Sequence, residues 1–238
     1  MTEVLSAREL GRATLARQLL LERRALRPVE AVERLCAMQA QEARPPFIGL
    51  WSRLRDFDPA ALHRALRRGA IVRAPLFRGT LHLASAADWA QMRGVCQPAM
   101  DEGLGVLGRR LEGIDVPAVA ARARALLRAG PRTAEELREL LAQAFPGKDE
   151  RVLAFAARMR LAVVMVAGED EWGFPRDPRF ALGAPAPAAP SAVRLAELVR
   201  RYLAAFGPAS ATDAQQFTGL PRLRTVLDGL RDELVTVP

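Results

Sequence analysis

Apolar positions along the chain recur mostly at spacings of three and four, and these helical stretches give way twice to short apolar runs bounded by turn residues. Ser6-Ala7-Arg8-Glu9 has the pattern of a capping box and opens a helix over Leu10, Ala13 and Leu20. A second helix is expected from Pro28 to Ala40, with Val32, Leu35, Cys36 and Gln39 along its inward stripe. Asp58-Pro59 supplies the cap and first-turn proline of a third helix through Leu62 and Leu66 to Arg68, where Gly69 stops it. Ile71-Val72-Arg73 and Leu81-His82-Leu83 read as strands around Phe77-Arg78-Gly79-Thr80, a hairpin or wing. Ser85 to Asp88 then caps a helix carrying Trp89, Met92 and Val95.

The pattern recurs. Asp115, Thr133 and Asp149 open three helices over Val119–Leu127, Leu137–Leu141 and Val152–Met159. Val163–Val166 and Glu171–Phe174 bracket Gly168-Glu169-Asp170 as a second hairpin. A Pro- and Ala-rich linker at Ala184–Pro190 leads to helices opened by Ser191, Ala211 and Arg222, and Leu234–Val237 begins a strand. Three helices followed by a two-stranded wing is the winged variant of helix-turn-helix. The expected fold is mainly α with small β-hairpin wings, built as tandem winged helix-turn-helix repeats. Residues 1–112 form the first, 113–183 the second and 191–238 an incomplete third, so the chain reads as a fragment or a natural truncation.

Composition adds a direction. The chain has 238 residues and a net charge of +8. Residues 1–100 carry 16 Arg against 9 Asp and Glu, a net +7, whereas residues 101–190 balance. An Arg- and Ala-rich, nearly Lys-free chain partly reflects genome composition, but the local excess favours a polyanionic partner, most simply nucleic acid. No apolar run is long enough to cross a membrane, so no membrane partner is expected. Two cysteines, Cys36 and Cys96, in apolar surroundings fit a reducing cytoplasm and no disulfide framework.

Several motif-like stretches fail on context. Gly103 to Gly108 matches G-x-G-x-x-G but follows a helix and has no acidic residue at ribose distance, and is read as a flexible inter-domain loop. His63, His82 and the cysteines lack metal-ligand spacing, and His63 reads as a solvated side chain on an Arg-rich helix. Asp56-Phe57-Asp58 is the only close carboxylate pair near the glutamines, and helix capping by Asp58 already accounts for half of it. Met38-Gln39-Ala40-Gln41 stands out instead. Gln39 continues a buried helix face with an amide that needs a hydrogen-bonding partner, and Pro45-Pro46 turn the chain just after Gln41. Gln39 could equally cap helix carbonyls.

These stretches together resemble one family. Leu15-Ala16-Arg17-Gln18, Met38-Gln39-Ala40-Gln41, Leu50-Trp51-Ser52-Arg53-Leu54 and Phe77-Arg78-Gly79-Thr80-Leu81-His82-Leu83 fall in the order and spacing of the winged-helix DNA glycosylases of the AlkZ type. Thr212–Leu220 is similar to that family's third winged helix. The resemblance implies a catalytic Gln39 and Gln41, double-stranded and damaged DNA as partner, no metal or cofactor, and a monomer. It implies excision of N-alkylated (N7 or N3) purines, with interstrand crosslinks among the family's substrates. Arg78, Thr80 and His82 on the wing, with Arg44 and Arg53, are the expected DNA contacts. The family's chains usually continue into a β-rich portion beyond the third wing.

The chemistry agrees with neutral amides. Glutamine cannot serve as a general base, but an N7-alkylated purine is already cationic and leaves without protonation. What remains is to hold a water near the sugar carbon and to stabilise an oxocarbenium-like state with oriented dipoles. The Gln39 carbonyl oxygen is expected to hold that water, with Gln41 beside it. Tandem winged helices alone point to a non-catalytic DNA-binding regulator, and an inactive truncated relative is the third reading.

Overall fold

A computed structural model describes residues 4–184 and 186–237. It is mainly helical around one small antiparallel sheet. The first helices are α1 (Ala7–Arg17), α2 (Pro28–Arg34), α3 (Pro45–Trp51) and α4 (Pro59–Arg67). Strand β1 (Met38–Gln39) lies between α2 and α3, and β2 (Ile71–Pro75) and β3 (Leu81–Ser85) form the expected first hairpin. Then come α5 (Ala86–Val95), α6 (Gln97–Gly105), α7 (Val116–Arg128), α8 (Ala134–Ala144) and α9 (Glu150–Arg160), strands β4 (Val163–Met165) and β5 (Phe180–Leu182), and α10 (Ala192–Phe206), α11 (Ala211–Thr218) and α12 (Leu223–Gly229).

Most caps fall where the sequence puts them. Ser6, Thr133 and Ser210 close capping boxes, and Asp58, Ser85, Asp115, Asp149 and Ser191 accept from first-turn amides. Each satisfies donors that the helix itself cannot. Four expectations change. The second helix ends at Arg34, not Ala40, because Cys36 and Ala37 take positive φ (54° and 80°) and swing the chain into β1. The return strand of the second hairpin is Phe180–Leu182, since Gly168–Gly173 closes into a turn of its own. Gly103–Gly105 belongs to α6 and Gly108 opens a 3₁₀ turn, so this stretch is not a flexible loop. Leu234–Val237 forms no strand. Pro185, in the expected linker, lies outside the described residues; beside it the Ala188 amide donates to the Ala90 carbonyl, seating the linker on α5.

The sheet runs β1-β3-β2-β4-β5. Arg73 opposite Met165 joins the two hairpins into one surface. Three apolar clusters surround it. One sits under α2, α3 and α4; one is formed by α7, α8, α9 and β5; the third runs from the first hairpin through α5 and α6 to α10, α11 and α12. The last segment is also held by charge: Arg201 of α10 grips both Asp88 carboxylate oxygens and donates to the Glu33 carbonyl at 2.9 Å. Burial pushes the Asp88 carboxyl up, against the pull of Arg201.

Candidate functional site

Gln39 and Gln41 lie at the edge of the sheet. Both side chains are exposed, which corrects the expectation of a buried amide at a helix end. Three contacts fix the strand that carries them. Gln39 sits opposite His82, the Ala40 amide donates to the Leu81 carbonyl at 2.7 Å, and the Leu81 amide donates to Gln41 Oε1 at 3.3 Å. Two non-glycine residues with positive φ immediately before β1 each cost about 1–3 kcal/mol and persist only where surrounding contacts over-determine them. Pro45 and Pro46 do not break a helix here; they occupy the first turn of α3, where a missing amide hydrogen does no harm.

The group that clamps this strand is Arg73, in the middle of the wholly buried β2. Its Nε donates to the Ala40 carbonyl at 2.9 Å and a terminal nitrogen donates to the Gln41 carbonyl at 2.8 Å. Its guanidinium lies 4.9 Å from the Phe174 ring centroid. Burial draws its pKa down, yet an arginine keeps its charge at neutral pH. The sequence reading passed over Arg73 as an ordinary strand residue. A lone cation in the apolar run Ile71–Pro75 was the available signal.

His82 shares a face of the sheet with Gln39 and is only 3% exposed. Its Nδ1 lies 2.9 Å from the Thr80 carbonyl. A carbonyl can only accept, so Nδ1 carries the proton and Nε2 keeps its lone pair. Burial, helped by the Arg78 charge, pulls the imidazole down from 6.5 to about 4, leaving it neutral near pH 7. The Phe77 ring stands edge-on to it at 5.2 Å.

The expected DNA contacts fare unevenly. Arg78 is exposed, but its guanidinium donates to the Phe217 and Gln216 carbonyls at the end of α11. The tip of the hairpin is therefore docked, with Phe77 4.8 Å from the Phe217 ring. Gly219, at φ 75°, follows that contact; a Cβ there would sit 3.1 Å from Arg78 Cγ. Thr80 is half-buried and donates to the Phe77 carbonyl at 3.0 Å. Arg53 donates to the Gln18 and Gly49 carbonyls, both at 2.8 Å, and ties the end of α1 to α3. Thr80, His82 and Arg53 thus serve the inside of the protein, and Arg78 staples the hairpin tip to α11. Arg44 is exposed two residues past Glu42, with its guanidinium 5.5 Å from the Trp172 ring. His63 is not freely solvated either: its ring packs 5.0 Å from Phe47. Among the described residues no cluster of His, Cys, Asp and Glu could hold a metal ion.

Comparison with known proteins fits this arrangement. Residues 32–238 match the family model described as "DNA glycosylase AlkZ-like". The chain belongs to the AlkZ-like DNA glycosylase family. Membership brings DNA glycosylase function and DNA binding with it. Among solved structures, the Streptomyces sahachiroi DNA glycosylase AlkZ superposes with a TM-score of 0.81 at 22% identity, covering 99% of this chain and 68% of that one. At that identity the likeness speaks for the fold. Among curated proteins, no sequence matches this chain.

Proposed function

We propose that this DNA glycosylase hydrolyses the N-glycosidic bond of N-alkylated purines, N7 or N3, in double-stranded DNA, with crosslinked purines within its range. The observation that carries the reading is the pair of exposed neutral amides on a clamped edge strand. A cationic alkylated base needs no proton to leave, so catalysis asks for a positioned water and oriented dipoles, not for a strong base. Gln39 holds the water through its side-chain carbonyl. Gln41, anchored by the Leu81 amide, is the second dipole on the sugar. His82 is neutral near pH 7 and adds no repelling charge beside the cationic purine. Arg44 is the exposed cation best placed to meet a backbone phosphate. We further propose that the protein works as a monomer in the cytoplasm, without metal or cofactor.

Duplex DNA carrying N7-methylguanine tests this. The wild type should release free base above the uncatalysed rate, and Gln39→Ala and Gln41→Ala should each lose most of that release while binding DNA as before. Release that survives both substitutions sinks the assignment. Salt-sensitive DNA binding without any release would instead support a regulator. On the basic helix α4 that such a regulator would use, Arg64 and Arg67 are paired with Asp58 (3.1 Å) and Glu169 (3.4 Å), while Arg68 at its end is exposed.

A further inference from the structure

A second basic site lies away from the glutamine strand and shares no residue with it. A cavity of about 440 Å³ opens between α8, α9 and the 3₁₀ turn at Gly108–Leu111. Four arginines line it: Arg110, Arg138, Arg151 and Arg158. Their partners are unequal. Arg110 is paired with Asp149 at 2.9 Å. Arg138 reaches Glu135 at 3.3 Å and Glu150 at 3.9 Å, but its Nε is buried without a hydrogen-bond partner. Among the described residues, Arg151 and Arg158 have no carboxylate within ion-pair distance.

Arg158 is the anomaly. Its Nε is buried and unpartnered, and its guanidinium lies 5.7 Å from the Phe180 ring centroid. Burial pulls its pKa down, but arginine does not escape the cost by losing its proton. Arg158 is half-buried, but a guanidinium whose Nε is sealed from solvent without a partner or counter-charge is costly to hold, and the cavity beside it has room for several non-hydrogen atoms. Apolar walls from Leu107, Val152 and Phe155 strengthen any charge-charge attraction inside by lowering the local dielectric. The planar guanidinium fork matches the oxygens of a phosphate.

We propose that this cavity is a phosphate-binding site, with Arg158 and Arg138 at its base and Arg151 and Arg110 at its rim. The ligand is a phosphate oxyanion, supplied by the backbone of bound DNA or by free phosphate.

Two titrations on the full chain test it, and neither depends on base excision. In the first, inorganic phosphate is titrated calorimetrically at matched ionic strength; wild type should bind, and Arg158→Met should bind at least tenfold more weakly. In the second, an undamaged duplex is titrated at several salt concentrations. Loss of one phosphate contact should reduce the slope of log K against log salt by about one in Arg158→Met and in Arg151→Ser. A reduced slope assigns the phosphate to DNA; weakened phosphate binding with an unchanged slope assigns it to free phosphate. Far-UV circular dichroism checks the fold of Arg158→Met, and the exposed Arg151→Ser gives the reading if that variant unfolds. Absence of phosphate binding in the wild type, together with unchanged slopes in both variants, overturns the site.

Discussion

Lowering the pH should expose His82 as the residue that holds the hairpin neutral. The folded protein keeps this imidazole unprotonated down to about pH 4, whereas in the unfolded chain it takes a proton near 6.5. Between those values the unfolded state binds more protons, so folding stability falls as the pH drops through that window and is untouched above it. The full difference corresponds to about 3 kcal/mol, and about 2 kcal/mol should already be lost by pH 5. Asp58, Asp149 and Glu233, whose carboxyls are held below their ordinary values, also lose stability on acidification. For that reason the measurement is a difference. Urea unfolding of wild type and His82→Gln is followed from pH 7.5 to 4.5. His82→Gln shows its full deficit at pH 7.5, and that deficit should shrink steadily as the pH falls. A deficit that stays constant across the window refutes a buried, neutral His82.

Arg73→Met removes two donors from the Ala40 and Gln41 carbonyls just after β1 and should cost about 1–3 kcal/mol in urea unfolding. Its base release should fall further than that of Arg73→Lys, which keeps a cation in place; equal loss in both variants would show that charge is irrelevant to holding the strand. Arg201→Met strands Asp88 in a buried site and should cost about 3–5 kcal/mol, with Asp88→Leu in the same chain recovering part of it. Gly183→Ala places a methyl 2.0 Å from Trp89 Cη2 and should lower thermal stability by about 1–3 kcal/mol; a neutral result would mean the indole can move aside.

The sequence was most legible where local chemistry decides. Caps such as Ser6 and Thr133 act on amides two or three residues away, so their signals need no tertiary context. The first hairpin was also readable, because its strands are flanked by Gly69 and by Phe77-Arg78-Gly79-Thr80. The glutamine strand stood out by its residues and not by its geometry. Helical periodicity runs on through Gln39, but tertiary pairing with β3 wins, and nothing local to Cys36 and Ala37 announces positive φ. Arg73 was missed for the same reason, since its partners are more than 30 residues away. The docking of the hairpin tip could not be read locally, because α11, which holds it, follows more than 130 residues later.

The single five-stranded sheet has a mechanical consequence. Backbone bonds that begin at Met38 continue through β3 and β2 into β4 and β5, so strain applied at one edge is borne by the other. The two hairpins should therefore melt together as one foldon, and amide exchange at Val163–Met165 should rise along with that at Ile71–Pro75 when either hairpin is weakened. A cut between residues 112 and 113 leaves each piece with a bare sheet edge that the intact chain conceals, and such edges invite aggregation.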